Sequence, residues 1–153
     1  MARVDIRVVA YDHPDAVVMI KEVQQEYVVR YGGPDDTPVE PAEFAPPLGL
    51  FLVGYLDGAP VSCGGWRAHE DGTVELKRMY VRASARGRGL ARAMLAELEL
   101  TAKRAGHRRV ILETGRGQPE AIELYRSSGY ADVPEFGYYA GWPLSVHLGK
   151  DLG

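Results

Sequence analysis

The chain has 153 residues, of which 46% are hydrophobic and 25% charged, the length and balance of one globular domain spanning residues 1–153. Its single cysteine, Cys63, excludes an internal disulfide and a cysteine-based zinc site, and no apolar run nears the roughly 20 residues of a membrane-spanning helix. The net charge of −3 conceals a basic segment: residues 77–109 carry ten Lys and Arg against Glu97 and Glu99, the remainder eight basic and nineteen acidic residues.

That segment points to a local anionic partner rather than a nucleic-acid coat; the bland alternative is a solvated helix face. Arg3, Asp5 and Arg7 interrupt the apolar stretch a signal peptide would need. A soluble cytoplasmic protein without membrane contact is therefore expected.

Val4 to Ala10 alternates weakly and reads as a first strand. Asp15 can cap a helix running to about Tyr31, with Val17, Val18, Ile20, Val23, Tyr27 and Val28 facing inward. Residues 34–47 hold five prolines and four acidic residues and read as an exposed loop, an active-site flap or surface connection. Leu48–Leu56, Pro60–His69 and Thr73–Val81 read as a meander of three strands, joined by Asp57-Gly58 and Asp71-Gly72 hairpin turns. Residues 88–105 form the clearest helix, with Leu90, Ala91, Met94, Leu95, Leu98, Ala102 and Ala105 as its buried stripe and Gly106 as its stop. Arg109–Thr114 is a short apolar strand, and a strand–helix–strand crossover makes it parallel to the third meander strand. A second helix over Gln118–Ser128 and strands at Tyr130–Val133 and Leu144–Leu148 complete the chain. The fold class is α/β, with a mostly antiparallel sheet, one parallel crossover and flanking helices.

Between strand and helix lies Arg82-Ala83-Ser84-Ala85-Arg86-Gly87-Arg88-Gly89-Leu90-Ala91. Unpaired N–H groups and the helix dipole suit this position to phosphate, and Gly87 and Gly89 let the backbone approach an anion. No Gly-Lys-Ser/Thr follows, so the Walker pattern fails. Arg92 stands where a dinucleotide fingerprint needs Gly or Ala. On the residues alone, a glycine-tolerant turn with solvated arginines remains the alternative. The four histidines show no metal spacing, no Gly-x-Ser-x-Gly elbow occurs, and no metal is expected.

Arg86-Gly87-Arg88-Gly89-Leu90-Ala91 matches Arg/Gln-x-x-Gly-x-Gly/Ala, and so resembles the pyrophosphate loop of the GNAT superfamily of N-acetyltransferases. Leu76 to Val81 looks like that family's fourth strand. Ala121 to Tyr130 resembles its last helix, Ala-x-x-Leu-Tyr-x-x-x-Gly-Phe/Tyr. The likeness covers about residues 48–133, and the order and spacing of the three motifs make it specific.

The resemblance implies a splayed central strand pair and an acetyl-CoA-dependent N-acetyltransferase that transfers to a primary amine by direct attack. The backbone of Arg86, Gly87, Arg88, Gly89, Leu90 and Ala91 would hold the CoA pyrophosphate, and Met79, Tyr80 and Val81 the pantetheine arm. Met79 N–H would face the oxyanion. Glu75 is the first choice for general base and Glu113 the reserve; otherwise Glu75 simply pairs with a cross-strand cation. Tyr125 would serve as acid towards the CoA sulfur, unless it is only core. Gln118 stands where the family often has Asn. The acceptor, a small-molecule amine or a peptide or protein amine, would meet Tyr27, Tyr31, Glu113 and Tyr138. The aromatic segment from Phe136 to Trp142 would line that pocket or form a dimer contact, and a homodimer fits the resemblance. A non-catalytic CoA-binding sensor of the same fold is the other reading.

Overall fold

The computed structural model describes residues 3–153. Seven strands form one sheet: β1 (Asp5–Val8), β2 (Gly49–Leu56), β3 (Ala59–Ala68), β4 (Thr73–Val81), β5 (Arg109–Gly115), β6 (Ala131–Asp132) and β7 (Ser145–Asp151), ordered β1-β2-β3-β4-β5-β7-β6. Every pairing is antiparallel except β4–β5. Alternate residues of each strand point to opposite faces, which separates two cores. Leu50, Leu52, Trp66, Val74 and Leu76 pack against Met94, Leu95 and Leu98 of α2 (Leu90–Arg104) and Tyr125 of α3 (Pro119–Ser127). Phe51, Val53 and Cys63 pack against Ala16 and Met19 of α1 (Pro14–Tyr31) on the other side. Among the described residues, no helix is long and apolar enough to cross a membrane.

The start of α1 differs from expectation. His13 is the cap: its Nδ1 accepts from the Asp15 N–H at 3.0 Å. Asp15 lies in the first turn, and its carboxylate accepts the Tyr55 hydroxyl at 2.6 Å. The buried stripe is Ala16, Met19 and Val23, while Val17, Val18 and Val28 are 36%, 43% and 38% exposed. Small Ala16 and flexible Met19 let the helix lie close on the sheet, so the valine-rich face is turned outward.

The proline-rich stretch is not a plain exposed loop. Pro41–Phe44 form one 3-10 turn, closed by reciprocal Glu40 and Glu43 backbone bonds. Phe44 is fully buried, stacked on Tyr11 at 4.8 Å and edge-on to Phe51 at 6.1 Å. Both expected hairpin turns form, with positive φ at Asp57-Gly58 and Asp71-Gly72. α2 begins two residues later than expected. Ala105 falls beyond its end and is exposed, while Trp66 Nε1 ties β3 to Thr101 Oγ1 of α2 at 3.0 Å. β6 is only two residues long, and β7 runs on to Asp151.

The parallel crossover forms, but β4 and β5 pair over only Thr73–Arg109, Val74–Val110 and Glu75–Ile111. Just beyond, β4 carries an extra residue relative to β3: Gly65 faces Lys77, yet Cys63 faces Tyr80. Arg78, at the bulge, has φ +62, a conformation uncommon for a side chain with a Cβ. A bulge bends its strand and increases the local twist, and here the sheet opens from Leu76 and Leu112 onward.

Candidate active site

The opening between β4 and β5 widens into a cavity of about 760 Å³. One half is bounded by Met79–Val81 of β4, the loop before α2, and Ala121, Leu124 and Tyr125 of α3. The β4 edge facing β5 has no strand partner past Glu75. Apart from the Val81 carbonyl, which accepts from Arg86 Nε at 3.0 Å, its outward backbone groups are therefore free to pair with an extended ligand. After a short turn over Ala83–Ala85, Gly87 and Gly89 take φ +81 and +76. An added Cβ at either would meet nothing within 4 Å, so backbone conformation, not crowding, demands glycine there. Gly89 is the cap position of α2 and supplies no side chain, which leaves the first N–H groups of the helix open. Arg86 is fixed beside them by Val81 O at 3.0 Å and by Glu26 at 3.2 Å.

The other half is lined by Tyr27, Tyr31, Asp35, Lys77, Arg78, Glu113, Tyr139, Trp142 and Ser145. Continuing the parallel register, Thr73 to Arg109 and Glu75 to Ile111, brings Lys77 opposite Glu113 where the strands have parted. Burial pushes the Glu113 carboxyl up to about 7, the Lys77 charge opposing and the Asp35 charge adding to the rise. The Tyr125 phenol is raised by burial first and by the Glu113 charge second, so it stays protonated. Asp35 is pushed up by burial, but Lys77 and Arg78 outweigh this and hold it well below the usual carboxylate range.

The C-terminal end of α1 is strapped over the cavity. Arg30 Nη1 donates to Gly117 O at 2.7 Å and Nη2 meets Glu120 at 2.6 Å. The Tyr31 hydroxyl donates to Gln118 Oε1 at 3.2 Å, with its ring packed on the turn at Gly115 and Gly117.

Thirteen sequence-predicted residues therefore meet in one wall: Tyr27, Tyr31, Met79, Tyr80, Val81, Arg86, Gly87, Gly89, Leu90, Ala91, Glu113, Gln118 and Tyr125. Three do not. Glu75 is buried outside the wall, its carboxylate taken by its cross-strand neighbour Arg67 at 3.2 Å and by His69 at 2.8 Å. Its placement is that of a structural ion pair. Arg88 is exposed and does not line the cavity. Tyr138 is half exposed and packs edge-on against Tyr139, the residue that reaches the wall instead. Asp35, Lys77 and Arg78 line the site without having been predicted from the sequence. For Lys77 a signal existed, since period-two alternation puts it on the same strand face as Glu75. None announced Arg78, whose orientation depends on the bulge.

An uncapped helix N-terminus behind two left-handed glycines, next to a free strand edge in a split sheet, is the arrangement of an acyl-CoA-dependent acyltransferase. Residues 18–130 match the Acetyltransferase (GNAT) family, and the chain belongs to it. The protein is 37% identical over 140 residues to an IAA acetyltransferase of Azospirillum brasilense, covering 90% of this chain and 92% of that one. It superposes with a TM-score of 0.81 on a proposed acyl-CoA N-acyltransferase from Klebsiella pneumoniae, at 29% identity and 98% coverage of both chains. The PaiA N-acetyltransferase of Thermoplasma acidophilum, solved with coenzyme A, shares the fold at 15% identity, with a TM-score of 0.75 over 97% of this chain and 99% of that one.

Proposed function

We propose that the protein transfers an acetyl group from acetyl-CoA to a primary amine by direct attack within one ternary complex. The observation that carries this reading is that one cleft wall holds both Glu113, a half-buried carboxyl that desolvation pushes up to about 7, and Tyr125, a buried phenol that stays protonated. Bound acetyl-CoA supplies a thioester whose acyl carbon is open to nucleophiles. The residues present suit it: open N–H groups at the start of α2 and the adjacent Arg86 for pyrophosphate, and the free β4 edge at Met79–Val81 for an extended amide-bearing arm.

Glu113 accepts a proton from the acceptor ammonium and exposes the nitrogen lone pair. A base that titrates near the working pH combines the right protonation state with useful driving force. The N–C bond forms as the C–S bond breaks. Tyr125 Oη donates a proton to the departing sulfur, and the backbone N–H of Met79 is the donor for charge developing on the acyl oxygen. The nitrogen gives up two protons in all, one leaving through Glu113 to solvent and one replacing the proton donated by Tyr125. Glu75 has no part in this scheme, because Arg67 and His69 already engage it.

The test is free CoA release from acetyl-CoA across a panel of amines, amino acids and peptides. Amine-dependent release, with acetylated amine accumulating mole for mole, is expected. Tight CoA binding without release in any arm would make the protein a CoA sensor instead.

A further inference from the structure

Three charged groups in the acceptor half have no task in acyl transfer itself. Lys77 and Arg78 are 8% and 5% exposed. Both converge on one oxygen of Asp35: Lys77 Nζ reaches Oδ2 at 2.8 Å, and Arg78 Nη1 contacts the same atom. The second oxygen, Oδ1, is occupied by Thr37 N at 2.9 Å and Thr37 Oγ1 at 2.6 Å. An ammonium offers three donors and a guanidinium five, and Asp35 takes one from each. Among the described residues, Arg78 Nε is buried without an acceptor. Two buried cations thus share one carboxylate, and burial makes the uncompensated charge costly.

Glu113 is the other carboxylate facing Lys77 across the gap. Once it holds the acceptor's proton it is neutral, and the excess positive charge stands alone beside the reacting amine. A second anion on the acceptor itself cancels that charge at the moment it arises. Charge-assisted bonds to Arg and Lys are what a carboxylate receives best. Because Lys77 and Glu113 are neighbours in register, amine and carboxylate must be close together on one small molecule.

We propose that the acceptor is a free amino acid, its carboxylate received by Lys77 and Arg78 and its amine presented to Glu113. This rests on the acyl-transfer reading above and leaves its proton balance unchanged. A peptide N-terminus carries an amide at the corresponding position, and a simple amine carries nothing. Tyr27, Tyr139 and Trp142 line the same half and favour an apolar or aromatic side chain.

The experiment compares initial rates of CoA release with phenylalanine, phenylalaninamide and phenethylamine, which share one carbon frame and carry a carboxylate, an amide or a hydrogen beside the amine, with rates referred to the unprotonated amine. The kcat/KM for the amino acid should exceed the other two at least tenfold. In Lys77→Gln that preference should fall at least tenfold, with CoA affinity reporting that the variant is folded; Arg78→Lys serves as the second variant. An amide or decarboxylated amine that reacts as well as the amino acid overturns the proposal while acyl transfer stands. A preference unchanged in Lys77→Gln and Arg78→Lys overturns the assignment of those residues. No release with any amine, peptides included, overturns acyl transfer and this proposal with it.

Discussion

At the scale of single residues, Glu113 and Tyr125 are set apart by where they are buried. The Glu113 carboxyl holds its proton more tightly in the fold, at about 7, than at its ordinary 4.5. The folded state therefore binds more protons between those values, and stability falls as pH rises through that window. Glu113→Gln removes this penalty. Its thermal midpoint should exceed the wild type's by roughly 5 °C at pH 8 and by much less at pH 4.5, and equal midpoints at pH 8 would contradict the assigned burial cost. Tyr125→Phe keeps the ring packed on Tyr130, 5.6 Å away between centroids, and deletes only the proton donor. Turnover should fall about 100-fold with CoA affinity nearly unchanged; unchanged turnover would remove Tyr125 from the chemistry.

At the scale of elements, the loop between β4 and α2 depends on two left-handed backbone positions. Gly87→Ala and Gly89→Ala each meet open space but force a residue with a Cβ to φ near +80, at about 1–2 kcal/mol. Relief of that strain shifts the loop N–H groups, so CoA binding should weaken roughly tenfold by titration calorimetry, and whatever strain persists should lower the unfolding midpoint by a few degrees. Most of this element was legible in the chain, because glycine spacing, strand alternation and helix periodicity are local properties. The hairpins at Asp57-Gly58 and Asp71-Gly72, the bounds of β4 and the parallel crossover are legible for the same reason. The side of α1 that faces the sheet was not, because valines and a small Ala16 compete for one surface and packing decides. Nor was Glu75, since period-two alternation places its side chain on a face but says nothing of Arg67 and His69 closing over it. The Asp35 contact spans 42 residues to Lys77, and only the closed fold brings the two together.

At the scale of the whole molecule, α1 and the segment after it are held to β4, the loop that follows it and α3 by ions as well as apolar contacts: Glu22 to Arg82, Glu26 to Arg86, Arg30 to Glu120, and Asp35 to Lys77 and Arg78. The basic segment divides accordingly, its loop end bordering the cavity and its far end, Lys103, Arg104, Arg108 and Arg109, exposed to solvent. Asp35 titrates below its ordinary 3.8, so the unfolded chain binds more protons there and stability is lost as pH falls below that value. Combined with the opposite slope from Glu113, this places the maximum of stability at mildly acidic pH. Denaturant midpoints between pH 1.5 and pH 8 should trace that dome. Asp35→Asn should flatten its acid limb and cost about 3–5 kcal/mol, since it strands two buried cations. Acyl transfer through this cleft is tested most directly by the pH dependence of kcat/KM for CoA release in the wild type and in Glu113→Gln. The wild-type rate should rise with pH to a plateau, with an apparent pKa near 7, while Glu113→Gln should be at least 100-fold slower and lack that rise. A Glu113→Gln enzyme with wild-type rate and profile would contradict that mechanism.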